Sequence, residues 1–442
     1  MKFFIHRLGC PKNDVDAEYL AARLIEAGHQ PVGDPAIADA VIVNTCGFIQ
    51  DAKQESIDAI LQLARLKHEA RDRRLYATGC LSQRYGDELL DEMPELDGAF
   101  GLGELDAVAE AVTKNSRLRK VVRQDARQLI YLDWKSRFLT DQLPYAYVKI
   151  SDGCDRSCSY CAIPQMRGGY RSRSMDSILN EVRYLADNGK KEIILVSQEA
   201  TLWGTDLTGR PDLVKLLAAM DQIGGVEWIR LLYLHPARTS PELIDYLASG
   251  SKSLCYFDLP FQHVNTRLLR AMKRESNRTM IEQLLERIRK RAPEAVLRVS
   301  FMVGFPGETG AHFGELCDFV RDNRFHRLGV FPFSAEEGTP AAALPNQVQE
   351  KLKMDRMDRL MTLQQELAFA RNNSLIGQTL DVIIDTVDSE SRAVGRTRGD
   401  CPEIDQQVLV NGQDVDTGEI CRVRINAAEG YDLIATKVTE KL

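Results

Sequence analysis

The stretch Cys154-Asp155-Arg156-Ser157-Cys158-Ser159-Tyr160-Cys161 constrains this chain more than any other. It places three thiols within eight residues, spaced C-x3-C-x2-C, with an aromatic residue before the last. The β-branched and aromatic run from Tyr145 to Ile150 predicts a strand, so the cysteines lie on a loop leaving a strand end. A structural zinc site takes four ligands, and no fourth cysteine or histidine follows nearby. Three thiolates suit a 4Fe-4S cluster with one iron open to a substrate or cofactor. A redox disulfide, or zinc borrowing a distant ligand, is the plainer alternative.

A chain of 442 residues has room for two to four domains. Its 44% hydrophobic and 27% charged content is that of a soluble globular protein. The apolar start, Met1 to Arg7, is too short for a signal peptide, and no run approaches a membrane span. A cytoplasmic protein is expected, with its ten cysteines reduced and available to a metal or cluster. The net charge of −7 is no general nucleic-acid signature.

Before the motif, strands and helices alternate, which predicts a parallel sheet covered by helices. Strands are expected at Phe3–Leu8, Ala40–Asn44, Arg74–Thr78 and Gly98–Gly101, with helices at Val15–Ala27, Ser56–Leu66 and Asp106–Thr113. Cys10, Cys46 and Cys80 each come just after one of these strands, beside Gly9, Gly47 and Gly79. Strand ends of a parallel sheet share one edge, where ligands bind, so three distant cysteines converge there. Any one of them alone would read as a small buried hydrophobe; together they predict a second three-cysteine cluster site. The basic segment with Arg117, Arg119, Lys120, Arg123 and Arg127 reads as a solvated linker or an edge strand.

From Tyr145 to Gly338 six more β/α units predict a complete or partial parallel barrel, whose active face is the C-terminal ends of its strands. The central motif lies on that face, with Ser197-Gln198-Glu199, His235, Gln262-His263 and the turn Gly304–Thr309 after later strands. Each histidine is as readily a structural one as a ligand or base. Met354, Met357 and Met361, at helical spacing in the stretch 347–374, are expected to pack on the barrel. The tail from Gly377 carries five short strand patterns, predicting a small OB-like β-barrel. With 13 acidic and 7 basic residues it holds nearly all the net charge, which suits a basic partner better than phosphate.

With both cysteine sets and the tail in view, the chain resembles the radical S-adenosylmethionine (SAM) methylthiotransferases along essentially its whole length. The resemblance implies an N-terminal α/β cluster domain (1–115), a connector (116–140), a partial radical-SAM barrel (141–344), a helical linker (345–375) and a C-terminal TRAM β-barrel (376–442). Cys154, Cys158 and Cys161 are the implied ligands of the SAM-binding 4Fe-4S cluster, and Cys10, Cys46 and Cys80 those of an auxiliary 4Fe-4S cluster. Tyr160 fills the aromatic slot near the adenine; Ser197, Gln198, Glu199 and Gln262 are the candidates for binding SAM. The segments Leu8–Asn13, Pro164–Gly168, Asp258–His263 and Glu336–Pro340 look like the RimO-type branch, which modifies an aspartate of the small-subunit ribosomal protein numbered twelve. Asp14, Ala17 and Gly169 depart from residues common in relatives, without touching a ligand. The implied chemistry replaces an unactivated C–H bond by C–S through a radical made from SAM, with external electron and sulfur donors and methyl from a second SAM. The alternatives are a tRNA isopentenyl-adenosine methylthiotransferase, which the acidic tail argues against, and a non-catalytic iron–sulfur or zinc protein.

Overall fold

The computed structural model describes residues 1–69, 72–126, 136–388, 392–411 and 415–438. Its first part runs β1 (Lys2–Arg7), α1 (Pro11–Glu26), β2 (Gln30–Pro31), β3 (Ala40–Thr45), α2 (Gln50–Glu69), β4 (Arg74–Gly79), α3 (Cys80–Glu92), β5 (Gly98–Phe100), α4 (Leu105–Thr113) and β6 (Val121–Val122). All six strands are parallel, in the order β2-β1-β3-β4-β5-β6. The order turns back on itself between β1 and β3, and the crevice at such a switch point is where open α/β sheets take ligands. Strands β3 and β4 are buried along their whole length, as a central sheet covered on both faces requires. The basic connector supplies the edge strand β6, with Arg119 tied to the carbonyls of Leu90, Met93 and Leu96; Arg127 lies outside the described residues.

The central part contains β7 (Tyr145–Lys149), β8 (Ser151–Asp152), α5 (Ile163–Arg167), β9 (Arg171–Ser172), α6 (Met175–Asp187), β10 (Glu192–Val196), α7 (Thr205–Thr208), α8 (Leu213–Met220), β11 (Trp228–Leu231), α9 (Pro241–Leu247), β12 (Tyr256–Gln262), α10 (Thr266–Ala271), α11 (Arg278–Arg291), β13 (Val296–Val303), α12 (Gly310–Asn323) and β14 (Arg327–Pro332). Strands β7, β10 and β11 form one parallel sheet and β12, β13 and β14 another. The bond from Leu254 N–H to the Ile229 carbonyl (2.8 Å) and from Leu234 N–H to the Asp258 carbonyl (2.9 Å) join them into a six-stranded partial barrel. Alternate side chains point inward and outward. The outward apolar set, with the helices, makes the largest core; Tyr145, Tyr147, Ile194, Val196, Trp228 and Tyr256 fill the lumen. Val15 and Tyr19 of α1 belong to that luminal cluster, so the N-terminal part packs directly on the barrel.

Helix α13 (Glu350–Leu375) crosses the barrel with Lys353, Arg356, Leu360, Gln364 and Ala368 buried. The expected methionine stripe is therefore one residue off: Met354 is exposed, and only Met357 packs against the core. Lys353 displaces it because its aliphatic stem lies over Gly304 while its ammonium donates to the Phe333 carbonyl at 2.8 Å. The tail strands β15 (Thr379–Val387), β16 (Ala393–Thr397), β17 (Val408–Asn411), β18 (Ile420–Glu429) and β19 (Asp432–Lys437) close into a barrel in the order β15-β16-β17-β19-β18.

This small barrel plugs the N-terminal end of the large one. Ile383 and Cys401 enter the luminal cluster. Glu192 of β10 binds both Arg230 and Arg396 at 2.7 Å, and Arg396 also grips Asp385 through two bonds of 2.6 and 2.8 Å. Arg327 pairs with Asp400, and Arg298 with Asp258 (2.9 Å) and Asp405 (3.6 Å). Several acids of the tail are thus turned inward. On its described surface, exposed Asp381, Asp388, Glu403, Asp416 and Glu429 stand against exposed Arg392, Arg398, Arg422 and Arg424.

Candidate functional site

Cys10, Cys46 and Cys80 meet at the switch point of the first sheet. Cys10 ends the β1 loop and starts α1, its carbonyl accepting the Asn13 amide at 2.7 Å. Cys46 follows β3, its amide donating to Ser56 Oγ at 2.9 Å. Cys80 opens α3 directly behind Gly79. Gly9, at φ +96°, leaves no room for a side chain: a Cβ there would stand 2.8 Å from Cys46 Cβ and 3.0 Å from its sulfur. Gly79, at the same φ, would collide with the Thr45 carbonyl at 2.6 Å. The glycines beside the cysteines therefore let three loops close on one another. Asn13 binds them together, donating to the carbonyls of Leu8 (3.0 Å) and Thr45 (3.1 Å). Burial pushes the Cys46 thiol up to about 12, with Cys80 and Cys10 near enough to add to it.

The second trio sits on the loop after β7. Strand β8 pairs antiparallel with β9, so the chain returns past the loop. Gly153, at φ +77°, closes the return: a Cβ there would stand 2.0 Å from the Gly169 carbonyl oxygen. The Cys154 amide donates to the Gly168 carbonyl (3.0 Å), Ser159 to the backbone of Met272 and Ala271, and the Ala341 amide to the Ser159 carbonyl. Burial raises the Cys154 thiol to about 11 and the Cys161 thiol to about 12. Tyr160 packs against the barrel core beside Arg274, and burial raises its phenol well above the ordinary value.

Arg167, at the end of α5, connects the two trios. Its guanidinium takes both oxygens of Asp152 (3.1 and 3.0 Å), Asn13 Oδ1 (2.8 Å) and Asp16 (3.3 Å), and stands 3.5 Å from the Cys80 sulfur. Burial alone would discharge Asp152, but Arg167 and Lys149 outweigh it and hold the carboxyl below the usual range. Arg274 stands 3.8 Å from the Cys158 sulfur. One guanidinium thus faces each trio, as the negative charge of a thiolate-bound cluster requires.

The barrel mouth between them is lined by buried polar atoms with no hydrogen-bond partner among the described residues: Ser197 Oγ, Gln198 and Gln262 Oε1, His235 Nδ1 and Arg274 Nε. Buried polar atoms are ordinarily satisfied, so this concentration marks a place for a polar ligand. Gln262 sits at φ +72° where β12 slips register against β13, and Tyr233 at φ +61°. Non-glycine residues held in that region concentrate at functional sites. Soft thiol donors in threes, flanking cations and these orphaned atoms fit two 4Fe-4S clusters and SAM. A four-iron cluster takes its thiolates on separate irons; among the described residues no three Cys, His, Asp or Glu side chains are placed to hold a single metal ion.

Of the predicted residues, Ser197, Gln198 and Gln262 line this mouth, with Gln198 Nε2 on Asp152 at 2.9 Å. Glu199 is there as well, held by Arg156 through bonds of 2.6 and 2.9 Å and by Thr201 at 2.9 Å. His263 is structural, its Nδ1 accepting the amides of Val264 and Asn265 at 2.9 Å each. His235 is kept neutral by burial and the nearby Arg274 and Arg156, its pKa down at about 2. The turn after β13 offers no free backbone donors, because Glu308 takes the amides of Gly304 and Phe305. Asp152 and Arg274 had no role from the sequence; Lys12 and Arg167 were each part of a quoted motif, Leu8–Asn13 and Pro164–Gly168, without one of their own. A basic residue next to a cysteine motif was the available signal.

Three family models match the chain: the uncharacterized protein family UPF0004 over residues 2–101, the radical SAM superfamily over 148–320 and the TRAM domain over 376–438. Among curated proteins, the ribosomal protein uS12 methylthiotransferase RimO of Desulforamulus reducens is 43% identical over 97% of each chain. The protein of the same name from Clostridioides difficile is 40% identical over 100% of this chain and 99% of its own. Among solved structures, the radical SAM methyltransferase TsrM of Kitasatospora setae, with cobalamin and a [4Fe-4S] cluster bound, aligns with a TM-score of 0.56 at 15% identity, covering 77% of this chain and 76% of its own. That likeness is one of fold. No described helix is long and apolar enough to cross a membrane.

Proposed function

This chain belongs to the RimO family of radical SAM methylthiotransferases, and from that premise we propose that it replaces a β-carbon hydrogen of an aspartate in ribosomal protein uS12 with a methylthio group. The observation that carries the proposal is the opening of two cysteine trios, from different sheets, on one mouth. In this reading Cys154, Cys158 and Cys161 hold the SAM-binding cluster and Cys10, Cys46 and Cys80 the auxiliary one. When bound, these groups with SAM supply the one-electron chemistry and the sulfur that an unactivated C–H bond demands and no side chain here could provide.

The protein's own work is binding and orientation. Asp152, charged and fixed by Arg167, aims Gln198 into the mouth. Ser197, Gln198 and Gln262 offer their unpartnered atoms to the methionyl end of SAM. Glu199 reaches that ligand by exchanging Arg156 for its ammonium group. Tyr160, packed beside the third cysteine, gives the adenine an apolar surface. The N-terminal part roofs the mouth, keeping water from a reactive intermediate.

The tail's part is docking at a distance. It sits at the N-terminal ends of the barrel strands, whereas the cysteine loops leave the C-terminal ends. At about 3.3 Å per residue a strand of five to eight residues separates them by roughly 17–26 Å. With exposed acids and arginines nearly balanced on its described surface, any contact with basic uS12 would rest on local acids such as Asp381 and Asp416, remote from the reacting carbon.

The test is mass spectrometry of uS12 after incubation with reconstituted protein, SAM, reductant and sulfide. One methylthio group on the aspartate is expected. Unmodified uS12, together with a thiomethylated adenosine in tRNA under the same conditions, would overturn the assignment.

A further inference from the structure

Lys12 stands in the middle of this site as a cation with no carboxylate partner among the described residues; a ring, a carbonyl and the nearby Cys10 are what favour its charge. It lies in the first turn of α1, two residues past Cys10, and is 7% exposed. Its ammonium donates to the Ser197 carbonyl at 3.2 Å and lies over the Tyr233 ring, 3.9 Å from the centroid. No carboxylate of the described residues pairs with it. Neighbouring buried cations are answered: Arg167 by Asp152, Lys149 by Asp16, Arg230 by Glu192. A buried charge without a partner is costly enough that proteins rarely keep one, so an anion is expected to arrive with a ligand.

The position says which ligand. Each trio already has its own guanidinium, Arg167 beside Cys80 and Arg274 beside Cys158. Lys12 instead reaches across from the N-terminal sheet to the ends of β10 and β11, into the gap between the trios. A carbon that loses hydrogen at one trio and gains sulfur from the other must lie in that gap. In an aspartate, this β-carbon is bonded directly to the side-chain carboxylate, so fixing the carboxylate fixes the carbon. We propose that Lys12 receives the side-chain carboxylate of the substrate aspartate and selects aspartate over its amide. The proposal rests on the uS12 reading above. Two other anions are close enough to compete, the methionyl carboxylate of SAM and the charge of a cluster on Cys10, and the test separates them.

The measurement is binding, without reductant and therefore without turnover. Reconstituted protein with SAM is titrated with fluorescent peptides spanning the modified uS12 segment, carrying either Asp or Asn at the target. Wild type should prefer the Asp peptide by about tenfold to a hundredfold, the range of one hydrogen bond to a charged group. Lys12→Met should bind the Asp peptide as weakly as the Asn peptide, with Asn-peptide affinity, SAM affinity and iron content unchanged. Lys12→Arg should keep a preference. Weakened SAM binding, or altered iron content with the Asp preference intact, would overturn the proposal in favour of SAM or the cluster. If wild type modifies uS12 yet shows no preference, the Lys12 assignment alone fails. If wild type neither binds the peptides nor modifies uS12, the substrate reading fails and takes the assignment with it.

Discussion

Removing Arg167 should do more than delete one ion pair, because its loss leaves Asp152 charged and buried. Arg167 is 2% exposed and Asp152 15%. Breaking a buried pair from one side costs about 3–5 kcal/mol. Asp152 keeps Gln198 at 2.9 Å, the Gly153 amide at 3.0 Å and Lys149 at 3.6 Å, so Arg167→Met belongs near the lower end, about 3 kcal/mol. Asp152→Asn leaves the guanidinium with Asn13 and Asp16 and should cost about 2 kcal/mol. The double variant removes both charges and should cost about 2–3 kcal/mol, well short of the sum, a coupling of about 2–3 kcal/mol. Urea unfolding of the four metal-free proteins measures the cycle. Iron content after reconstitution adds a second readout, since Arg167 also faces Cys80: Arg167→Met should lose the iron of one cluster. Additivity within about 0.5 kcal/mol, or full iron in Arg167→Met, would refute the idea that this arginine joins the two trios.

Gly9→Ala should destabilise the metal-free protein by about 1–3 kcal/mol and lower iron uptake, since its Cβ would press on Cys46 at φ +96°; an unchanged melting temperature and full iron would contradict this. Cys158→Ala should abolish formation of 5′-deoxyadenosine from SAM, and retained production would remove Cys158 from the proposed ligands. His263 titrates near 6.5 when unfolded, but burial, with its Nδ1 already taken by two amides, lowers it to about 3 in the fold. Between those values the unfolded chain binds the extra proton, so stability should fall by about 1.4 kcal/mol per pH unit as pH drops below 6.5. His263→Asn, whose side chain can still accept a backbone amide, should flatten that slope in denaturation measured from pH 7 to 5; an identical slope in both proteins would show that the ring is not responsible.

What the sequence made legible was whatever repeats or is spaced along the chain. The β/α alternation gave the two parallel systems, and the five short patterns of the tail gave its barrel. The placement of Cys10, Cys46 and Cys80 after strands was enough to expect them together, because a parallel sheet aligns its strand ends. Contacts across elements carry no such spacing. Arg167 lies 154 residues from Asn13 and 87 from Cys80, and only the docking of the first sheet against the barrel joins them. The same holds for Lys12 and Ser197, 185 residues apart. The methionine stripe on α13 misled because Lys353 and Arg356 can bury their stems while their charged ends find partners. The tail's composition was visible, but not that Asp400 and Asp405 face arginines of the barrel while Asp385 holds the tail's own Arg396.

That inward pairing bears on how such chains can change over generations. The small barrel does not hang from the enzyme as an interchangeable part; its acids complete the floor of the larger barrel. A tail grafted from a relative would bring its own pattern of acids to Arg298 and Arg327, and a mismatch would strand a charge beneath the lumen. Floor and tail are therefore expected to drift in step, each substitution in one narrowing what the other can accept. The exposed side of the tail is free of that bond, and that is where differences in what these enzymes grasp have room to accumulate.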